Sequence, residues 1–275
     1  MTIRHQPIKI DVFLLTLLTS INLQALSNFC NDYGDWLKGT DENRSGPKRA
    51  IHLNLITGQE LLGMIVVLAS TCIFFGVALL LTALGLEQLT ALLIFAGLGL
   101  ASIVAAIKYT LGEKPYGYIG LGDLSVFFFF GLLNVGGAYY MQLPGEFGAE
   151  TLLPAVGLGL LSVCVLNVNN LRDEAGDRQS GKNTLVVKLG CEWATIYYIL
   201  LVVMSVLSFS AYVVIENQTM VQLLLIPAFL ILQTVHIRKF RQIKEKSDYN
   251  SLLAWLSKST FIFVLIWSII FAVPT

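Results

Sequence analysis

Asn169-Asn170-Leu171-Arg172-Asp173-Glu174-Ala175-Gly176-Asp177-Arg178-Gln179-Ser180-Gly181-Lys182 lies between two apolar runs, Thr151 to Val168 and Ala194 to Ile215. Runs of that length cross a bilayer as helices, so this stretch marks where a helix leaves the membrane. If the helix continues past Val168, Asn169, Asp173 and Asp177 fall four residues apart and line one face. Polar groups aligned at the mouth of a membrane helix are costly unless something binds them. Arg172, Arg178 and Lys182 place cations beside them. The pattern reads as a site for a metal ion together with a phosphate, rather than as a simple ion pair.

Further out, the first half of the chain holds a counterpart, Asn28-Phe29-Cys30-Asn31-Asp32-Tyr33-Gly34-Asp35, again at the end of an apolar run. Gln24, Asn28, Asp32 and Asp35 follow at helical spacing and form one stripe from inside the membrane to its surface. Gly39 is the expected helix stop, and Asp41, Arg44, Gly46-Pro47, Lys48 and Arg49 make a charged loop beyond it. Either motif alone could be a solvated helix end; the pair is harder to explain that way. Carboxylates and amides are hard oxygen donors that suit Mg2+, which takes one or two carboxylates, waters and substrate phosphate oxygens. Both motifs also end helices, where the macrodipole favours a cation. Bridging Mg2+ would let Asp32, Asp35, Asp173 and Asp177 hold a diphosphate that they would otherwise repel. Arg and Lys of the adjoining loops could take the remaining phosphate oxygens.

Of the 275 residues 55% are hydrophobic and 13% charged, where a soluble domain carries roughly 25% charged residues. The expected fold is all-α: a polytopic transmembrane helix bundle, read as one membrane-embedded domain over residues 1–275. Net charge is zero and no basic tail points to nucleic acid. Cys30, Cys72, Cys164 and Cys191 are scattered, as are His5, His52 and His236, which argues against a thiolate or imidazole metal site. Eight apolar runs are expected to span, near 12–30, 61–82, 89–107, 123–141, 151–169, 194–215, 220–236 and 255–273. Of the 18 Lys and Arg, 15 fall in the long loops near 31–60, 108–122, 170–193 and 237–254, and none in the short ones. By the positive-inside rule the long loops and both acidic motifs face the cytoplasm. Arg4 and Lys9 would then lie outside, against the rule, and no signal-peptide cleavage site follows the first run.

The third loop reads Lys108-Tyr109-Thr110-Leu111-Gly112-Glu113-Lys114-Pro115-Tyr116-Gly117-Tyr118-Ile119-Gly120-Leu121-Gly122-Asp123. Glycine, proline and tyrosine at this density predict an ordered, irregular segment. Asp123 opens the next helix, either as an N-cap or as part of an acceptor-binding site. Arg44, Lys48, Arg49, Lys108, Tyr109, Asp123, Arg172, Arg178 and Lys182 are the substrate-binding candidates.

Asn-Asp-Tyr-Gly-Asp (31–35), Gly-Pro-Lys-Arg (46–49), the string from Lys114 to Asp123, Asn-Asn-Leu-Arg-Asp (169–173) and Gly-Lys-Asn-Thr-Leu-Val-Val-Lys-Leu-Gly (181–190) resemble the UbiA-type membrane prenyltransferases of quinone synthesis. They are most similar to the branch that prenylates 1,4-dihydroxy-2-naphthoate. The resemblance runs from about Phe13 to the last span, and the extended third-loop string separates this branch from the 4-hydroxybenzoate and haem-farnesylating relatives. It implies an all-helical membrane enzyme of nine spans with two cytoplasmic Asp-rich motifs, in the bacterial inner membrane. It implies Asp32, Asp35, Asp173 and Asp177 as the catalytic Mg2+ and diphosphate residues, with Asn28, Asn31 and Asn169 beside them. The implied reaction moves a polyprenyl group from polyprenyl diphosphate to 1,4-dihydroxy-2-naphthoate, with loss of CO2 and diphosphate, in menaquinone synthesis. The family's N-terminal helix, preceded by Arg-Pro-x-Thr, finds no match, so the expectation is an eight-span chain without it. Another aromatic acceptor such as 4-hydroxybenzoate is an alternative. A transporter is a second, although the acids here cluster at one face and the spans lack a central Asp or Glu.

Overall fold

Each of the eight apolar runs forms a helix long and apolar enough to cross a membrane. The structure is a computed structural model and describes residues 7–39, 46, 49–146, 148–216, 219–243, 245–246 and 248–272. The spans are α1 (Ile10–Leu37), α2 (Gly58–Leu84), α3 (Leu89–Lys108), α4 (Gly122–Gln142), α5 (Ala149–Gln179), α6 (Cys191–Glu216), α7 (Met220–Arg241) and α8 (Asp248–Phe271). No strand occurs among the described residues.

Hydropathy places most of these ends well, but α1 and α5 run on beyond the apolar sequence that announces them. The first run was expected to end near residue 30 and the fifth near 169; the helices continue to Leu37 and Gln179. At ~1.5 Å per residue about 20 residues cross the ~30 Å hydrocarbon layer. The last turns of both helices, which carry the acidic residues, therefore stand clear of it. Gly39, with φ 66°, follows the end of α1 as a left-handed stop. Thr57 opens α2 with a capping box to Glu60.

Two groups of helices build the core. Leu26 and Cys30 of α1 pack with Ile65 and Cys72 of α2, and nearer the other end Val12 packs with Leu79, Leu84 and Met141. On the other side Cys164 and Val168 of α5 meet Tyr198 and Val202 of α6, Phe240 of α7 and Leu256 of α8. The groups join where α4 lies on α5. A Cβ on Gly131 would fall 2.6 Å from the Gly159 Cα and 2.7 Å from the Ala155 carbonyl oxygen, so these backbones touch. The middle of α4, Phe127–Gly136, is a π-helix, a form often found near functional sites.

Polar side chains stitch the helices inside the bundle. Ser205 and Ser208 of α6 donate to the Gly157 and Leu153 carbonyls of α5 at 3.0 and 2.7 Å. Thr71 of α2 donates to Asn22 of α1 at 2.8 Å. At the end of the bundle away from the acidic motifs, the Lys9 backbone exchanges two hydrogen bonds with the Gln142 side chain, 3.1 and 3.2 Å. Lys9 thus sits with the short loops; Arg4 lies outside the described residues.

Candidate active site

The acidic ends of α1 and α5 come together through cations that each side shares. Arg49 pairs with Asp32 and, at 3.5 Å, with Asp35. Lys182 lies 3.6 Å from Asp35 and 3.7 Å from Asp177, and so bridges the two motifs. Arg172 forks onto both carboxylate oxygens of Asp173 at 2.9 and 2.7 Å, while its third nitrogen donates to Asn250 of α8 at 2.9 Å. Asp35 is only 3% exposed. A buried carboxylate is tolerated only with good partners, and this one also accepts the Tyr118 hydroxyl at 2.8 Å. Burial pulls the Arg49 guanidinium down to about 10; Asp173 raises it and Arg172 lowers it further. Arg49 therefore feels both motifs at once. With Lys38 included, four carboxylates face four cations among the described residues.

The Tyr109–Leu121 segment ties this cluster together. It is ordered, as its composition predicts. Thr110 donates to the Cys30 carbonyl at 2.9 Å and to Asn31 at 3.2 Å, and Gly34 leaves room for it, because a Cβ there would meet the Thr110 side chain at 2.8 Å. The other end of the segment docks on the chain after α5. Tyr118 accepts from the Asn183 backbone N–H at 2.9 Å, and the Lys188 ammonium donates to the Ile119 carbonyl at 2.6 Å. Gly120, with φ 84°, makes the turn that brings this about. The Tyr118 ring then carries two ammonium groups, Lys38 at 4.0 Å and Lys182 at 5.3 Å from its centroid. The Lys38 ammonium is pulled below its usual value, first by burial, with Asp35 opposing and Lys182 adding to the fall. Tyr109 is pushed up by burial and by the carboxylates Asp123, Asp35 and Asp177, which sets it between the cluster and Asp123.

Of the residues marked from sequence, Asn31, Asp32, Asp35, Arg49, Tyr109, Arg172, Asp173, Asp177 and Lys182 lie in or against this cluster. Others go elsewhere. Asn28 is exposed and accepts from Gln24 at 3.4 Å, so it bonds within its own stripe. Arg178 bonds Glu174, one turn back on its own helix, at 2.9 and 2.7 Å. Lys108 is exposed beside Gly112, and Asn169 is half-buried at the membrane end of its stripe. Asp123 is not an N-cap: it lies inside the first turn of α4 with no capping bond. Arg44 and Lys48 lie outside the described residues. Sequence reasoning missed Lys38, Tyr118, Thr110 and Asn250. A basic residue three past Asp35 and a tyrosine in a glycine-rich string were usable signals for the first two; nothing marks Asn250.

The family model described as UbiA prenyltransferase family matches residues 2–259. The chain belongs to this family. It is 48% identical over 204 residues to a 1,4-dihydroxy-2-naphthoate octaprenyltransferase of Haemophilus influenzae, a match covering 74% of this chain and 65% of that protein. The enzyme of the same description from Escherichia coli is 48% identical over 180 residues, covering 65% and 58%. That from Mycobacterium tuberculosis is 40% identical over 197 residues, covering 71% and 64%. The chain thus spans a little under two thirds of the length of these relatives. In this member of the UbiA prenyltransferase family the acidic motifs stand on helix ends that project from the bundle, tied by one ordered segment.

Proposed function

We propose that this UbiA prenyltransferase transfers a polyprenyl group from polyprenyl diphosphate to 1,4-dihydroxy-2-naphthoate, releasing diphosphate and CO2 and giving the prenylated hydroquinone, demethylmenaquinol, for menaquinone synthesis. What carries the reading is the meeting of two acidic helix ends around the shared cations Arg49 and Lys182. The names of the relatives support the choice of acceptor. The chain acts as one domain in the bacterial inner membrane, with the site on the cytoplasmic side, where the positive-inside rule puts its basic loops.

The donor set fits Mg2+. All four acids offer hard oxygen, and Mg2+ typically takes one or two carboxylates, with waters and phosphate oxygens completing its shell. Asp32 and Asp35 on one helix, with Asp173 and Asp177 on the other, would hold it, and bound there it would neutralise the diphosphate and improve it as a leaving group.

The protein's own groups do the rest. Among the described residues the four carboxylates offset the four cations, so this cluster holds no net positive charge to neutralise a bare diphosphate. Arg49, Lys182 and Lys38, held by ion pairs and by the Tyr118 ring, supply donors to the phosphate oxygens as charge moves onto them. The prenyl chain lies among apolar helix faces, out of water. The allylic carbon–oxygen bond breaks with its electron pair going to diphosphate, and the electron-rich ring forms the new carbon–carbon bond at the carbon bearing the carboxylate. CO2 leaves with rearomatisation, so no net proton is released. The ordered Tyr109–Leu121 segment keeps water from the cation and aligns the partners.

Purified protein in liposomes decides the matter. With dihydroxynaphthoate, polyprenyl diphosphate and Mg2+ it is expected to release diphosphate and CO2 together, to stop when EDTA removes the metal and to resume when Mg2+ is restored. Diphosphate release unaffected by EDTA would rule out the metal assignment. No release with this acceptor would rule out the reaction.

A further inference from the structure

Asp123 takes no part in the ion-pair cluster, yet it is only 8% exposed and sits within a membrane-spanning helix. Tyr197 of α6 packs against the same buried cluster as Val126 and Phe127, one turn along α4, and the Asp123 Oδ1 has no hydrogen-bond partner among the described residues. Its surroundings are built. A Cβ on Gly122 would fall 2.7 Å from the Tyr109 hydroxyl and 3.4 Å from the Leu166 side chain, so Asp123 opens at the point where the third loop, α4 and α5 converge. On α5, the residue after Leu166 is Asn167, which is 0% exposed with neither side-chain oxygen nor nitrogen partnered among the described residues. One turn back on the same face stands Cys164, which is buried in the cluster that Val126 and Phe127 of α4 pack against. Buried polar atoms without partners are rare in proteins and call for an explanation, a ligand being one.

We propose that Asp123, Tyr197 and Asn167 form the subsite for the hydroxyaryl acceptor, the Asp123 carboxylate accepting a hydrogen bond from a ring hydroxyl and the Asn167 amide pairing with the oxygen-bearing edge of the same ring. The assignment rests on the prenyl-transfer reading above and names the residues that read its second substrate. The mixture of groups selects the ligand class. A single carboxylate next to a phenol and an amide, with no third ligating group among the described residues, suits a neutral hydroxyl better than a divalent cation. Tyr109, between Asp123 and the acidic cluster, puts this subsite beside the place where the allylic carbon would lie. A hydroxyl that donates to a carboxylate pushes electron density into its ring, which makes the ring carbon a better nucleophile without any proton leaving.

The test is kinetic, on the full chain in liposomes, with KM measured separately for acceptor and for polyprenyl diphosphate. Asp123→Asn keeps size and shape but loses the charge. It is expected to raise the acceptor KM by about tenfold or more, as for a hydrogen bond to a charged group. KM for polyprenyl diphosphate and the Mg2+ requirement should stay within about twofold of wild type, because that binding uses other residues. Tyr197→Phe, which leaves the carboxylate in place, should move the acceptor KM in the same direction by a smaller factor, and serves if Asp123→Asn does not fold. Naphthoates lacking one ring hydroxyl supply a readout that mere misfolding cannot imitate. For one of the two analogues, wild type and Asp123→Asn should become equal. An unchanged acceptor KM, or equal rises for both substrates, would overturn the subsite. If the wild type turns over no hydroxyaryl acceptor, the prenyl-transfer reading fails, and equilibrium binding of dihydroxynaphthoate then decides the subsite: binding lost in Asp123→Asn upholds it, binding retained overturns it.

Discussion

Asp173 meets Arg172 through two parallel hydrogen bonds, and Asn250 holds the far nitrogen of that guanidinium. The carboxylate is thus fixed in direction before any substrate arrives. Asp173→Asn should keep the bundle folded and lower turnover by about 10²–10³, the usual loss when one preorganised charge-stabilising group is removed; kcat at saturating Mg2+ measures it, and a near-normal value would remove Asp173 from the chemistry. At Tyr118 the hydroxyl and the ring have separate duties. Tyr118→Phe loses the bond to Asp35, and Tyr118→Leu also loses the surface beneath Lys38 and Lys182. KM for polyprenyl diphosphate should rise in that order, by about tenfold for the first. Lys38 titrates below its ordinary value of 10.5 because burial outweighs the pull of Asp35. It is charged below its lowered value and neutral above. Affinity for polyprenyl diphosphate should therefore begin to fall at a lower pH than an ordinary lysine would dictate, and Lys38→Arg should move the onset of that decline to higher pH, where Arg49 sets it.

The helix ends show what sequence does and does not reveal. The stripes 28/32/35 and 169/173/177 were legible because both helices continue through them at regular spacing. The fate of the cations was not. Arg178 and Lys182 look alike in the sequence, but Glu174 stands one turn before Arg178 on the same helix and captures it, whereas Lys182 lies past the helix end and can reach across to Asp35. Asn250 lies in the first turn of α8, far along the chain, and its partner is set by how α8 packs on α5. At the seam of α4 and α5, a Cβ on Gly131 would strike backbone rather than a flexible side chain. Gly131→Ala must push the two helices apart, a change that typically costs about 1–3 kcal/mol. A lower midpoint in thermal unfolding, with KM values little altered, is the expected result; an unchanged midpoint would show that the seam yields.

Across the whole molecule, charge and geometry point to one face. The basic loops, the acidic helix ends and the Tyr109–Leu121 segment share an end of the bundle, and Lys9 with Gln142 marks the other. With the exposed Cys191 changed to serine, a thiol at Ser180 should react with a membrane-impermeant reagent only from the cytoplasmic side, and a thiol at Glu87 only from the opposite side. Reaction of Ser180 from outside would reverse the topology. The backbone bond from Asn183 to Tyr118 joins residues 65 positions apart, the second of them beyond the fifth span. A ribosome adding roughly 5–20 residues per second exposes Tyr118 for several seconds before Asn183 exists. During translation the first acidic helix end therefore waits, with its loop undocked, until the fifth helix has been inserted; the face that gathers both acidic motifs cannot close before residue 183 has been made.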